Sequence, residues 1–120
     1  MNDKDDLALL IQVLKKREQI LVNEESIKKY NRYFEVMRKY ARNLIADNRQ
    51  EELLPYLECD SVSIRRDVAG LLFHCYQEKC EKVLKKIAGM SIETGLPTCF
   101  VNVSISAEMA LDVGIPKEFP

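Results

Sequence analysis

Tryptophan is missing from this sequence, and histidine occurs once, as His74. Any Ser-His-Asp or Cys-His arrangement would therefore have to use that one imidazole, and a zinc set built on several histidines is excluded. The glycines, Gly70, Gly89, Gly95 and Gly114, are too scattered to form a phosphate-cradling loop. The longest apolar run, Leu7 to Ile11, stops at Gln12, far short of the roughly 18 residues that cross a bilayer. An excess of either charge is also lacking: 18 basic side chains stand against 19 acidic ones. That balance argues against the basic footprint of an ordinary nucleic-acid-binding protein, while leaving room for a local basic patch. Asn2, Asp3, Lys4, Asp5 and Asp6 are too acidic for a signal or transit peptide. The expectation is a cytoplasmic chain with no membrane segment.

Apolar surface, by contrast, is plentiful. Hydrophobic residues make up 47% of the 120 positions, enough for one domain to bury a core without a disulfide or metal. Cys59, Cys75, Cys80 and Cys99 therefore read as free thiols in a reducing compartment. Cys75 and Cys80 read as small core side chains.

Helical periodicity dominates the first three quarters of the chain. Leu7, Leu10, Ile11 and Leu14 mark one face of a first helix ending near Val22, with Asp3, Asp5 and Asp6 at its dipole's positive end. Asn23 reads as the cap of the next helix. Ile27, Tyr30, Phe34, Met37, Ala41 and Leu44 form the stripe of that second helix, with Tyr33, Val36 and Tyr40 beside it. Two stripes on one helix predict two packing neighbours. Asn48 and Glu51 have the spacing of a capping box. They open a short helix that buries Leu53, Leu54 and Leu57 and is disturbed by Pro55. Ser61 and Ser63 mark the cap of a helix burying Ile64, Val68, Leu71, Leu72 and Cys75. A fifth helix from Gln77 buries Cys80, Val83, Leu84 and Ile87 and ends at Gly89. Thr98 to Ile105 alternates as a strand does, but no second strand is available to pair with it. It is expected as an extended segment lying on the helices. Ser106 is expected to cap a last short helix ending at Gly114, before an irregular tail over 115–120.

The stretch Leu53-Leu54-Pro55-Tyr56-Leu57, followed by Cys59-Asp60-Ser61-Val62-Ser63-Ile64-Arg65, resembles a HEAT repeat. Ile64-Arg65 stands where such repeats carry Val-Arg, and Ala69 and Leu72 stand at later apolar places. The whole chain resembles a short bacterial single-domain HEAT-like family of unknown function. Ala107 to Leu111 is similar to a motif near the C-terminus of that family. It departs from the pattern at Cys59, where the turn aspartate is usual, at Val68, and in the length of the segment from Met90 to Ser106. The resemblance implies an all-α, antiparallel helical stack of about six helices, an α-α superhelix. Residues 1–22 would cap a single domain spanning 1–120, and 50–76 would form the best repeat. It also implies an association with immunity or accessory proteins of bacterial toxin loci.

No chemical constellation emerges beside this. Cys75 follows His74 directly, and neighbours at that spacing diverge by about 100° on a helix. No CxxC or HxxxH pair is present, so neither a metal site nor a cofactor is indicated. The expected function is non-enzymatic binding of another protein. Tyr33, Tyr40, Tyr56, Arg65 and Arg66 are the candidate contacts, because aromatics and arginines dominate interface energies. Arg65 is also expected to reach back across its turn. The alternative is nucleic-acid binding through Lys28, Lys29, Arg32, Arg38, Lys39 and Arg42 of the second helix.

Overall fold

The structure, a computed structural model, describes residues 5–120, so the dipole role expected of Asp3 lies outside the described residues. It is all-helical there. Helix α1 covers Asp6–Val22 and α2 covers Ile27–Ala46. A 3₁₀ helix, Gln50–Glu58, leads into α3, Val62–Leu71. Helix α4 covers Gln77–Ala88 and α5 covers Val101–Val113, with 3₁₀ turns at Ile92–Thr94 and Thr98–Phe100 between them. Short turns make α1 and α2, and α3 and α4, antiparallel neighbours. Helix α1 packs on α2 and α4 on α5, while α3 touches α1, the long 3₁₀ helix, α4 and α5. One core results, with Leu10, Leu14, Met37, Leu44, Leu53, Leu72, Cys80 and Leu84 fully buried. The radius of gyration is 13.8 Å, close to the roughly 14 Å of a single compact body of this length.

Local chemistry explains where the helices start and stop. The Asp5 carboxylate accepts from the Leu7 N–H at 3.0 Å and opens α1. Ser26, not Asn23, caps α2, its hydroxyl accepting from the N–H groups of Lys28 and Lys29. Asn23 instead closes α1, and its side chain reaches Glu25. The capping box expected at Asn48 and Glu51 does not form. Arg49 stands at the cap without a side-chain bond, and Asn48 is in the left-handed region at φ 59°, which asparagine tolerates. The segment containing Pro55 winds as 3₁₀ over nine residues, longer than such helices usually run. Ser61 caps α3 through the Ile64 N–H as expected.

Three other expectations are corrected. Thr98 to Ile105 is not extended: it forms a 3₁₀ turn and the first part of α5. Helical spacing decides the matter. Val103, Ser104 and Ala107 are buried, Ala110 and Leu111 are half-buried, and Ile105 is exposed. A strand there would leave its backbone groups without partners, whereas a helix satisfies its own. Packing on α4 and α3 overrides the β-propensity of the valines. Ser106 consequently caps nothing and lies inside α5. Cys75 is exposed, because α3 ends before it at Leu71.

The joint between α1, α2 and α3 is a buried ion pair. Arg17 Nε donates to Asp67 Oδ2 at 3.0 Å and Arg17 Nη2 to Asp67 Oδ1 at 3.1 Å. Arg17 Nη1 donates to the Tyr30 carbonyl at 2.8 Å, and the guanidinium lies 3.8 Å over the Tyr30 ring. The two side chains are 4% and 6% exposed. Burial disfavours the Arg17 cation, and the adjacent Asp67 carboxylate outweighs this and raises its pKa above the ordinary value. Removing one partner strands a charge in the core, so Asp67→Ala should lower stability in urea unfolding by about 3–5 kcal/mol. Arg17→Met combined with Asp67→Leu should recover most of that loss.

Candidate functional site

A cleft of ≈ 700 Å³ opens between α1, α2, α3 and α5 and the tail after α5. That volume lies within the range of about 300–1,000 Å³ typical of ligand sites. Its walls are mostly apolar, with Leu21, Met37, Val103 and Ala110 among them and the rings of Tyr30, Phe34 and Phe119 alongside. Three exposed apolar side chains stand at its edge: Ile27 at 63%, Met109 at 58% and Val113 at 81% exposure. Polar groups converge inside, namely Arg17, Arg38, Arg66 and Asp67, with Ser106 beside them.

The tail is irregular, as expected, yet it is tied down and forms one wall. Phe119 stacks on Phe34 with ring centroids 5.8 Å apart, and Arg38 lies 5.1 Å over the Phe119 ring. Arg42 Nη1 donates to the Pro120 carbonyl at 2.9 Å. His74 Nε2 donates to the Pro116 carbonyl at 2.7 Å. The single imidazole thus uses one nitrogen to fasten the wall.

Of the five residues singled out in the sequence as contacts, Arg66 alone lines this cleft. Its Nε donates to Ser106 Oγ at 2.9 Å, joining α3 to α5. Burial lowers its pKa below the ordinary guanidinium value. Arg65 performs the structural task expected of it: its Nη1 donates to the Cys59 carbonyl at 2.8 Å across the turn. Tyr33, Tyr40 and Tyr56 are half-buried and packed against the core. Arg17 and Asp67 were missed. Their positions gave a signal, since Arg17 continues the face of Leu10 and Leu14, and Asp67 sits beside Val68 on the face of Ile64 and Leu71.

The second-helix cations are partly engaged within the chain. Lys29 pairs with Glu25 at 2.8 Å and Arg38 with Glu35 at 3.1 Å. The rings of Tyr30 and Phe34 already face Arg17 and Arg38. A second, smaller hollow of ≈ 320 Å³ lies near Ser61 and Leu96. Among the described residues no group of three or more His, Cys, Asp or Glu side chains is placed to hold a metal ion. No helix among them is long and apolar enough to cross a membrane.

The thiols are free, and the buried one is held in its neutral form. Burial pushes the Cys80 thiol from 9.0 up to about 12, the opposite of an activated nucleophile. Burial likewise pushes the Tyr30 phenol from 10.0 up to about 12, and Asp67 adds to the effect. Both groups bind their proton more tightly folded than unfolded. Their stabilisation is complete below the unfolded values and disappears as pH rises through the folded ones. Urea midpoints should therefore decline between pH 9.0 and about 12. Cys80→Ala should remove the part of the decline that begins at the lower pH, and Tyr30→Phe the later part. In the folded chain at neutral pH, a maleimide should label Cys75 long before Cys80.

No protein-family model and no curated protein sequence matches this chain. Among solved structures it is similar to the crystal structure of the protein RPA1889 from Rhodopseudomonas palustris CGA009. The two are 25% identical, with a TM-score of 0.72 over 94% of this chain and 88% of that one.

Proposed function

We propose that the chain is a non-enzymatic, cytoplasmic protein-binding module of HEAT-like type, an adaptor or an immunity protein, and that it receives its partner in the cleft between α2 and α5. The observation that carries this reading is the exposed apolar rim. Ile27, Met109 and Val113 stand in water around a concave apolar surface. Large apolar side chains grouped in this way mark interaction sites more often than scattered ones do. Arginines within an apolar surround are the usual anchors of such contacts.

Two further observations favour binding over chemistry. His74 is engaged by the Pro116 carbonyl, and the Cys80 thiol is fully buried. The nucleic-acid alternative has weaker support, because Tyr30, Tyr33 and Tyr40 are half-buried against the body rather than spread as a stacking surface.

The test is site-specific photo-crosslinking in cells. A photoreactive residue at Met109 or Val113 should give a discrete protein adduct, and one at exposed Lys82 on α4 should not. Met109→Asp should abolish the adduct formed from Val113 while leaving the thermal midpoint unchanged, since the Met109 side chain is 58% exposed. Adducts from Lys82 alone, or from none of these positions, would refute the assignment of the cleft.

A further inference from the structure

The cleft contains a cation without a carboxylate. Arg17 occupies both oxygens of Asp67, and Arg38 pairs outward with Glu35. Arg66 has neither kind of partner. Among the described residues no carboxylate lies within 4.0 Å of its guanidinium, and its one hydrogen bond goes to the neutral hydroxyl of Ser106. Arg38 Nε is buried with no acceptor. The charged groups lining the space are thus Arg17, Arg38 and Arg66 against Asp67 and Glu118, with Glu118 exposed and the neutral Tyr30 phenol beside them. A guanidinium partly withdrawn from water between apolar walls favours an anion that shares its surroundings.

Gly70 makes this arrangement possible. A Cβ at that position would lie 2.7 Å from Arg66 Nη1. The guanidinium therefore rests over the bare backbone of α3, one turn after its own Cα. Glycine inside a helix costs about 1 kcal/mol relative to alanine, and at Gly70 the return is the space that the Arg66 head occupies.

We infer that the partner segment received by the cleft is apolar with an acidic side chain in its midst, and that this carboxylate pairs with Arg66 between α3 and α5. The inference rests on the cleft being the docking surface. Charge complementarity selects the acid, and the rim selects a protein segment to carry it. A small amphiphile sunk among the arginines would leave Ile27, Met109 and Val113 in water, whereas a partner's surface covers them. Glu118 stands at the edge and repels the same acid.

The probe is a displayed library of random peptides selected on the immobilised full chain. The winners are then titrated in solution against the wild type, Arg66→Met, Gly70→Ala and Met109→Asp. Winners should carry Asp or Glu between apolar residues. They should bind Arg66→Met at least about thirtyfold more weakly, as loss of one partner of a desolvated charge pair requires. Exchanging the peptide's acid for its amide should weaken binding to the wild type by a similar factor and leave binding to Arg66→Met nearly unchanged, the signature of direct coupling. Gly70→Ala should keep the fold, because the atom in the way is the far end of the Arg66 side chain rather than backbone, and should weaken the same peptides. Glu118→Gln should tighten them. Winners without an acid, or winners that bind Arg66→Met as well as the wild type, would overturn the inference. If Met109→Asp still abolished those winners, the cleft would stand as the docking surface. If no winner responded to Met109→Asp, the cleft assignment would fall as well.

Discussion

Arg17 and Asp67 close the chain on itself across 50 positions, and most of the architecture is arranged around that contact. The pair fixes how α1 meets α3. Through the Tyr30 carbonyl and ring it also fixes where α2 lies. The sequence of aromatic contacts then continues outward, from Arg17 to Phe34, and from Phe34 to Phe119 in the tail. Two buried charges are a poor source of net stability, because desolvating them consumes most of their attraction. Their value lies in geometry. A two-pronged guanidinium and carboxylate tolerate one alignment, whereas leucines on the same faces would accept several neighbouring registers. We read the pair as the device that selects one packing of α1 and α2 on α3, and so the one in which a cleft exists.

Much of the fold was legible because its outer helices follow the simplest pattern. The buried stripe from Met37 to Leu44 and the cap at Ser61 are visible at once, whereas Ile27, expected in the same stripe, stands in water. What escaped was governed by contacts between distant residues. Thr98 to Ile105 alternates like a strand, and its valines are indifferent helix formers. Only the surface offered by α3 and α4 to Val103 and Ala107 decides for a helix. Arg17 was passed over for a related reason. A charged residue normally marks the solvent face, so one standing in register with Leu10 and Leu14 reads as the end of the stripe, although here it continues inward.

The binding site was less legible than the fold. Half of a tyrosine's surface can be core and half exposed, and sequence alone does not say which half. Tyr33, Tyr40 and Tyr56 proved to be partners of the core. Arg65 and Arg66 are adjacent in sequence, yet one clamps a turn and the other enters the cleft, since neighbours on a helix point in different directions. The cleft itself draws on α1, α2, α3, α5 and the tail. No local window contains it, and the exposed apolar residues at its edge are ordinary when viewed one at a time.

An apolar concavity in a small helical body should tend to collapse, because lining atoms without neighbours forgo their dispersion contacts. Here the arginines oppose closure. Bringing α5 down onto α2 would drive Arg66, which has no carboxylate partner, and the buried Arg38 Nε, which has no acceptor, deeper into an apolar interior, where such groups are far more costly than an unfilled space. Gly70 lets Arg66 lie flat along α3, and Ser106 holds it there. Phe119 beneath Arg38 props the far wall. The cations that keep the walls apart are therefore the same ones that give the opening its charge preference. A cleft held open by desolvated positive charge is completed best by a group that brings apolar surface and a carboxylate together, since either alone would leave one of the two demands unmet.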